Sequence, residues 1–207
     1  YIIMKSFLLL LSVIFCSVSF AQNGKKMNTN HTNILKIGTN TFFAGDEFPF
    51  NVSWETKVHN RQSLQISLSP RLNKNDYENT KGLALSLAYR KYISKGREGL
   101  QGLYFSPVVK YGVLKDRQRY TDYLYTGPST PPIITEKINN YKVKSLNVGI
   151  LFGKQWVYKS GFSLDISGGI GFYNNKYDGY NTSYYYRNNQ SEYGITPNLN
   201  ISVGYAF

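Results

Sequence analysis

The chain has one cysteine, two histidines and two tryptophans in 207 residues, and its acids are outnumbered, 12 Asp and Glu against 24 Lys and Arg. A lone thiol, Cys16, can form no disulfide within the chain. So little histidine and cysteine leaves no ordinary donor set for a transition metal. After the first twenty or so residues no apolar run is long enough to cross a membrane as a helix. Mean hydropathy is negative, −0.36. The formal charge of +12 suits an anionic neighbour such as lipid phosphate or polysaccharide.

Only the start is continuously apolar. Met4 reads as the initiator, Lys5 as a minimal positive region, and Phe7 to Cys16 as the apolar core of a secretory signal. Ser19-Phe20-Ala21 is a small-x-small cleavage site. The expected division is a signal peptide over 1–21, a short periplasmic tail over 22–32, and one barrel domain over 33–207. A transmembrane anchor would need roughly 20 apolar residues and a basic cluster after them. A lipid anchor on Cys16 would need a small residue where Phe15 stands.

The remainder is an alternation of period two. Leu199, Ile201, Val203, Tyr205 and Phe207 alternate with Asn198, Asn200, Ser202, Gly204 and Ala206. The same pattern recurs over Phe50–Val58, Leu64–Leu72, Leu83–Arg90, Leu103–Val113, Leu146–Trp156 and Phe162–Tyr173, and more weakly over Asn33–Thr41. Runs of about nine to eleven residues, at about 3.3 Å each and a tilt near 45°, span about 20–25 Å, the depth of an outer-membrane hydrocarbon layer. An unpaired backbone group in lipid costs several kcal/mol, so such a sheet must close, first strand against last. The expected fold is all-β: an eight-stranded antiparallel up-and-down transmembrane β-barrel, its interior just wide enough for side chains. Short links fall at His59–Gln62, Ser94–Gly102 and Tyr158–Gly161, on the side of the chain termini. Long ones fall at Lys115–Asn140 and Asn174–Ile195, on the opposite side. Short periplasmic turns and long outer loops are the asymmetry of outer-membrane barrels.

Ala21-Gln22, Asn33-Ile34-Leu35-Lys36, the run from Leu85 to Tyr92, Tyr104-Phe105-Ser106-Pro107 and the Phe207 terminus together resemble a family of small Bacteroidota outer-membrane barrels without an assigned activity. In shape that family is similar to the eight-stranded barrels of the OmpX and OmpA type. Unlike OmpA-type proteins, the chain is expected to stop at the barrel, with no periplasmic peptidoglycan-binding domain. The resemblance implies the barrel shape and no assigned activity. It also implies an assembly signal in Leu199, Ile201, Val203, Tyr205 and Phe207, read transiently by the barrel-assembly machinery.

The inward parity carries few charges: Glu55, Lys57, Arg71, Arg90, Lys110 and Asp165. A charge in a narrow bore is costly unless paired. The expectation is therefore a structural set of lumen ion pairs among Glu55, Arg90, Asp165, Arg71 and Lys110, with Arg90 bonded to one of the two acids near the periplasmic end. A gated ion path is the functional alternative. His31 and His59 both fall toward the periplasmic end, so the outer rim lacks the histidine that an outer-membrane hydrolase or acyltransferase would place there. Ser67, Ser86 and Ser167 read as small lumen fillers. No catalytic residue, cofactor or metal is assigned.

Lys115, Arg117, Lys142 and Lys144 are candidate contacts to lipopolysaccharide headgroups outside. Lys91, Lys95, Arg97, Lys154 and Lys159 fall near phospholipid heads inside. Tyr120, Tyr123 and Tyr125 precede a turn-rich tip at Gly127-Pro128-Ser129-Thr130-Pro131-Pro132, and Tyr180, Tyr184, Tyr185 and Tyr186 stand among asparagines. Lys115, Arg117 and Arg119 alternate before that tip and Lys137, Lys142 and Lys144 follow it, so the two strands are expected to extend as a hairpin above the membrane. Tyr-rich loops on a rigid scaffold suit contact with an external protein or glycan. The expectation is a monomeric, non-enzymatic protein of the Gram-negative outer membrane with a structural and surface-interaction role and no nucleic-acid partner. A narrow passive pore is the alternative. A lipid A-modifying enzyme and a soluble lipocalin-like binder stand behind it, the last requiring apolar residues inside.

Overall fold

The computed structural model describes residues 31–41, 50–74, 78–94, 100–124, 133–178, 180–182, 185–187 and 191–207. The expected signal peptide and most of the expected tail lie outside the described residues. The elements are β1 (Asn33–Thr41), β2 (Phe50–His59), β3 (Gln62–Lys74), β4 (Glu78–Tyr92), β5 (Gly102–Leu124), β6 (Ile133–Val157), β7 (Phe162–Asp178), β8 (Tyr180–Thr182), β9 (Tyr185–Arg187) and β10 (Ser191–Ala206). Eight of them form a ring in the order β1-β10-β7-β6-β5-β4-β3-β2, and β8 pairs only with β9. β1 closes the ring by pairing antiparallel with β10 on one side and β2 on the other. Every neighbouring pair in the ring is antiparallel, and apart from the closure each strand lies beside the ring strand next to it in the chain.

The period-two pattern sets which face turns inward. Along β2, Asn51, Ser53 and Glu55 are buried while Val52 and Trp54 are exposed. Along β3, Ser63, Gln65, Ser67 and Ser69 are buried while Ile66 and Leu68 are exposed. A slip of one residue would move every one of these side chains to the opposite face, so burial of one polarity holds the register. Where Pro107 replaces a backbone donor on β5, the β4–β5 ladder passes from Ala88↔Val108 to Lys91↔Phe105 and skips the positions between. The short turn at Asn60-Arg61 holds Arg61 at φ 64°, and the turn before β7 holds Gly161 at φ 85° with the Tyr205 ring and the Ala206 carbonyl close against it.

The first long link is the expected hairpin extension, and the second also holds strand over most of its length. Lys115–Asn140 continues β5 to Leu124 and β6 back to Ile133, paired without a break from Lys115↔Lys142 to Leu124↔Ile133. β4 reaches only to Gln118 of β5, and β7 only to Lys142 of β6. Past those points the two strands pair with each other alone and form an arm beyond the ring. Asn174–Ile195 likewise begins and ends in strand, to Asp178 of β7 and from Ser191 of β10. These extensions carry Arg, Lys, Thr and Tyr rather than a uniformly apolar face. Strand propensity and cross-strand pairing persist there after the hydrophobic period has ended.

Candidate functional site

At the end of the ring that holds the chain termini, four charged side chains meet inside it. Lys36 comes from β1, Glu55 from β2, Arg90 from β4 and Asp165 from β7, and all are essentially excluded from solvent. Lys36 Nζ lies 2.5 Å from Glu55 Oε2 and 3.0 Å from Asp165 Oδ2. Arg90 Nη1 lies 2.6 Å from Asp165 Oδ2 and 3.4 Å from Glu55 Oε2. Two cations and two anions thus alternate around a square, and each acid faces both bases. Arg90 contacts both acids rather than one.

Neutral groups take up most of the remaining hydrogen-bonding capacity, and only the Arg90 Nε of the four charged groups is buried without a hydrogen-bond partner. Tyr92 donates to Glu55 Oε1 at 2.6 Å, Ser63 donates to the same oxygen, and Tyr104 donates to Asp165 Oδ1 at 2.8 Å. Gln155 accepts from Lys36 at 2.6 Å and from Arg90 at 3.1 Å, while its amide donates to the Tyr92 hydroxyl at 3.0 Å and to the Leu100 carbonyl at 2.7 Å. The Arg90 guanidinium also lies over the Tyr104 ring, 4.3 Å from its centroid. Below the charges, Ile34, Tyr92, Leu100, Tyr104, Val157 and Ala206 pack as an apolar seal. A buried ion pair offsets its desolvation cost only when its geometry is good and its other lone pairs are satisfied. Both conditions are met at the two acids and at Lys36, and at Arg90 except for its Nε, so the arrangement acts as a plug of side chains across this end of the bore.

Gly153 makes room for it. A Cβ at this position would fall 2.5 Å from the Tyr104 ring and 2.7 Å from the Ser167 side chain. Gly153→Val is expected to push Tyr104 away from Asp165 and to cost about 1–3 kcal/mol through overpacking. The denaturant midpoint should fall accordingly. An unchanged midpoint would show that Tyr104 has no fixed seat there.

Of the residues expected to form lumen ion pairs, Glu55, Arg90 and Asp165 are brought together. Arg71 and Lys110 are not in this group, although both are on the inward parity; they lie farther along β3 and β5, away from the terminal end. Lys36, Gln65 (which accepts from Lys36 Nζ at 3.1 Å), Tyr92, Tyr104 and Gln155 were not singled out from the sequence. Lys36 stands between Leu35 and Ile37 and obeys the same parity that marks Glu55, so the signal was present. Leu100, drawn into the mouth from a segment without strand periodicity, carried none.

At the opposite end, Lys115, Arg117, Lys142 and Lys144 share the outward parity of β5 and β6. Lys144 bonds Asp178 at 2.7 Å. That hydrogen bond holds the Asp178 carboxyl below its ordinary value and raises Lys144. Inside this end Ala84, Leu114 and Val143 pack together, with Tyr141 and Tyr177 against them. Tyr120 and Tyr123 are in the β5 arm, Tyr180 in β8, and Tyr185 and Tyr186 in β9, while Tyr125 and Tyr184 lie outside the described residues. The terminal-strand residues Leu199, Ile201, Val203 and Tyr205 are on the outward parity of β10, paired with β1 and β7.

No curated protein and no solved structure matches the chain. One family does, described as Protein of unknown function (DUF3575), over residues 8–207. The chain belongs to that family.

Proposed function

We propose that this protein is a monomeric integral outer-membrane β-barrel of the OmpX type. In this reading its bore is plugged at the periplasmic end, and it works as a structural and surface-interaction protein through the β5–β6 arm and the Tyr-rich β7–β10 connection. The observation that carries the reading is polarity: charges and amides are inside the ring, and large apolar side chains are outside. Leu83, Leu85 and Leu87 on β4, Leu103, Val109 and Tyr111 on β5, and Leu146, Val148, Ile150 and Phe152 on β6 are all exposed. A continuous apolar band of this kind, on every side of a closed sheet, needs lipid against it.

Aromatic side chains gather near both edges of the band. Phe105 packs on Phe152, Tyr158 on Phe162, and Lys154 over Trp156 toward the terminal end. Phe172 packs on Tyr193 toward the other. Such girdles sit at headgroup depth in outer-membrane barrels. A soluble lipocalin-like barrel would need the opposite polarity. A narrow pore would need a passage where Lys36, Glu55, Arg90 and Asp165 stand, so discrete openings in planar bilayers are not expected.

Orientation is tested with single cysteines and a membrane-impermeant maleimide on intact cells. Thr121→Cys, exposed on the arm, should label. Arg61→Cys, exposed in the turn between β2 and β3, should label only after the outer membrane is opened. The reverse pattern, or equal labelling of both, would contradict the reading.

A further inference from the structure

We propose that the outward face of β4, β5 and β6, where Lys81, Lys115 and Lys142 meet in register, binds the phosphate of an outer-leaflet glycolipid. The inference rests on the membrane reading above and assigns a ligand to one place on the barrel. The register pairs Lys81 with Lys115 and Lys115 with Lys142, so three ammonium groups stand side by side across three strands. Like charges directly opposite each other destabilise a sheet. One level further out, Arg117 lies between Asn79 and Asn140. One level nearer the apolar band, Lys144 lies beside Lys176.

Among the described residues, no ion pair is recorded for Lys81, Lys115, Arg117 or Lys142. The outward carboxylate in reach, Asp178, lies directly across the ladder from Lys142 but bonds Lys144, at 2.7 Å. Asp116 is turned to the inner face, buried, and accepts from Thr80 at 2.9 Å and from Tyr141. The cations line an open groove of about 410 Å³ together with Asn79, Asn140, Tyr141 and the two carboxylates Asp116 and Asp178. Lys81, Lys115, Arg117 and Lys142 outnumber these two acids, each already hydrogen-bonded, so the groove keeps a positive excess that suits a phosphate, with asparagine amides beside it to donate further hydrogen bonds.

What selects a lipid over a free ion is the surface directly below. Moving down the same three strands, the outward positions become Leu83, Leu85 and Leu87, then Val113, Tyr111 and Val109, then Leu146, Val148 and Ile150. A phosphorylated sugar headgroup seated on the lysines would lay its acyl chains along this face. Of these three lysines, Lys115 and Lys142 carry the sequence signal of a basic arm. Lys81 becomes part of the site only through the register of β4 against β5.

The test uses full-length protein in a neutral detergent, wild type and the triple variant Lys81→Gln/Lys115→Gln/Lys142→Gln, with binding read by native mass spectrometry. The probes are phosphorylated lipid A, the same lipid A with its phosphates removed, and inorganic phosphate. Wild type should retain phosphorylated lipid A, with a loss of about fivefold per removed charge and about a hundredfold for the triple variant. Dephosphorylated lipid A should bind wild type no better than it binds the variant. The variant should also melt at the same or a higher temperature than wild type when no anionic lipid is present, because a like-charge row has been relieved. That melt shows that its barrel is folded.

Equal retention of phosphorylated lipid A by wild type and variant would overturn the site. So would displacement of the lipid by millimolar inorganic phosphate, which would mark a free-anion site. If the wild-type chain fractionates with the outer membrane and still shows equal retention, the site alone falls. If it does not reach that membrane, the barrel reading falls with it.

Discussion

Replacing Arg90 by alanine is expected to lower stability by about 3–5 kcal/mol, the usual consequence of removing one partner from a buried ion pair. The guanidinium is the donor nearest Asp165, at 2.6 Å, and also reaches Glu55 and Gln155. Without it, two buried carboxylates share a single cation, Lys36. The cavity left beside Tyr104 adds to the loss. Urea titration in lipid vesicles measures it. Arg90→Lys should recover part, because the charge returns without the planar fork. The double variant Arg90→Ala/Asp165→Ala should lose less than the sum of the two single losses, since the two groups are in direct contact. In planar bilayers the alanine variant should leak where wild type is silent. Additive losses would mean that the four charges do not act as a unit.

The second large effect is on the opposite face of the same strand. Leu85→Arg, in the middle of the exposed row Leu83, Leu85 and Leu87, is expected to cost about 2–4 kcal/mol in a bilayer, the penalty for an arginine near mid-depth on the outside of a barrel. On a water-facing sheet the same change would stay within about 0.5 kcal/mol. The measurement is the folding free energy in vesicles of defined thickness. A loss below about 0.5 kcal/mol would place this face in water.

The ring was legible because its pattern is local. Leu85 and Ser86 differ in polarity, and the alternation continues for enough residues to assign a face to each strand and a partner to the next. The ion cluster was legible in part. Parity marks Glu55, Arg90 and Asp165 as inward, but it does not say which inward residues reach one another across a bore. That depends on strand tilt and stagger, which no single strand encodes. Arg71 and Lys110 share the inward parity but lie farther along β3 and β5 than the cluster. Lys36 was passed over in the weakest strand although its neighbours Leu35 and Ile37 point outward.

The β5–β6 arm was legible as an extended hairpin from its alternating basic residues, although hydrophobic alternation ends near Val113. Its hydrogen-bonded ladder does not need an apolar face and continues to Leu124↔Ile133. Lys81 was not grouped with Lys115 and Lys142. The neighbours that make it part of a basic row are on other strands, and only the register reveals them.

The central claim is a closed sheet sealed within an outer membrane. Its most direct test is outer-membrane fractionation followed by gel migration with and without boiling. A closed barrel in that membrane gives a band in the outer-membrane fraction that runs compactly unheated and shifts on boiling, because the closed ladder resists detergent until it is melted. A soluble band with no shift would contradict it.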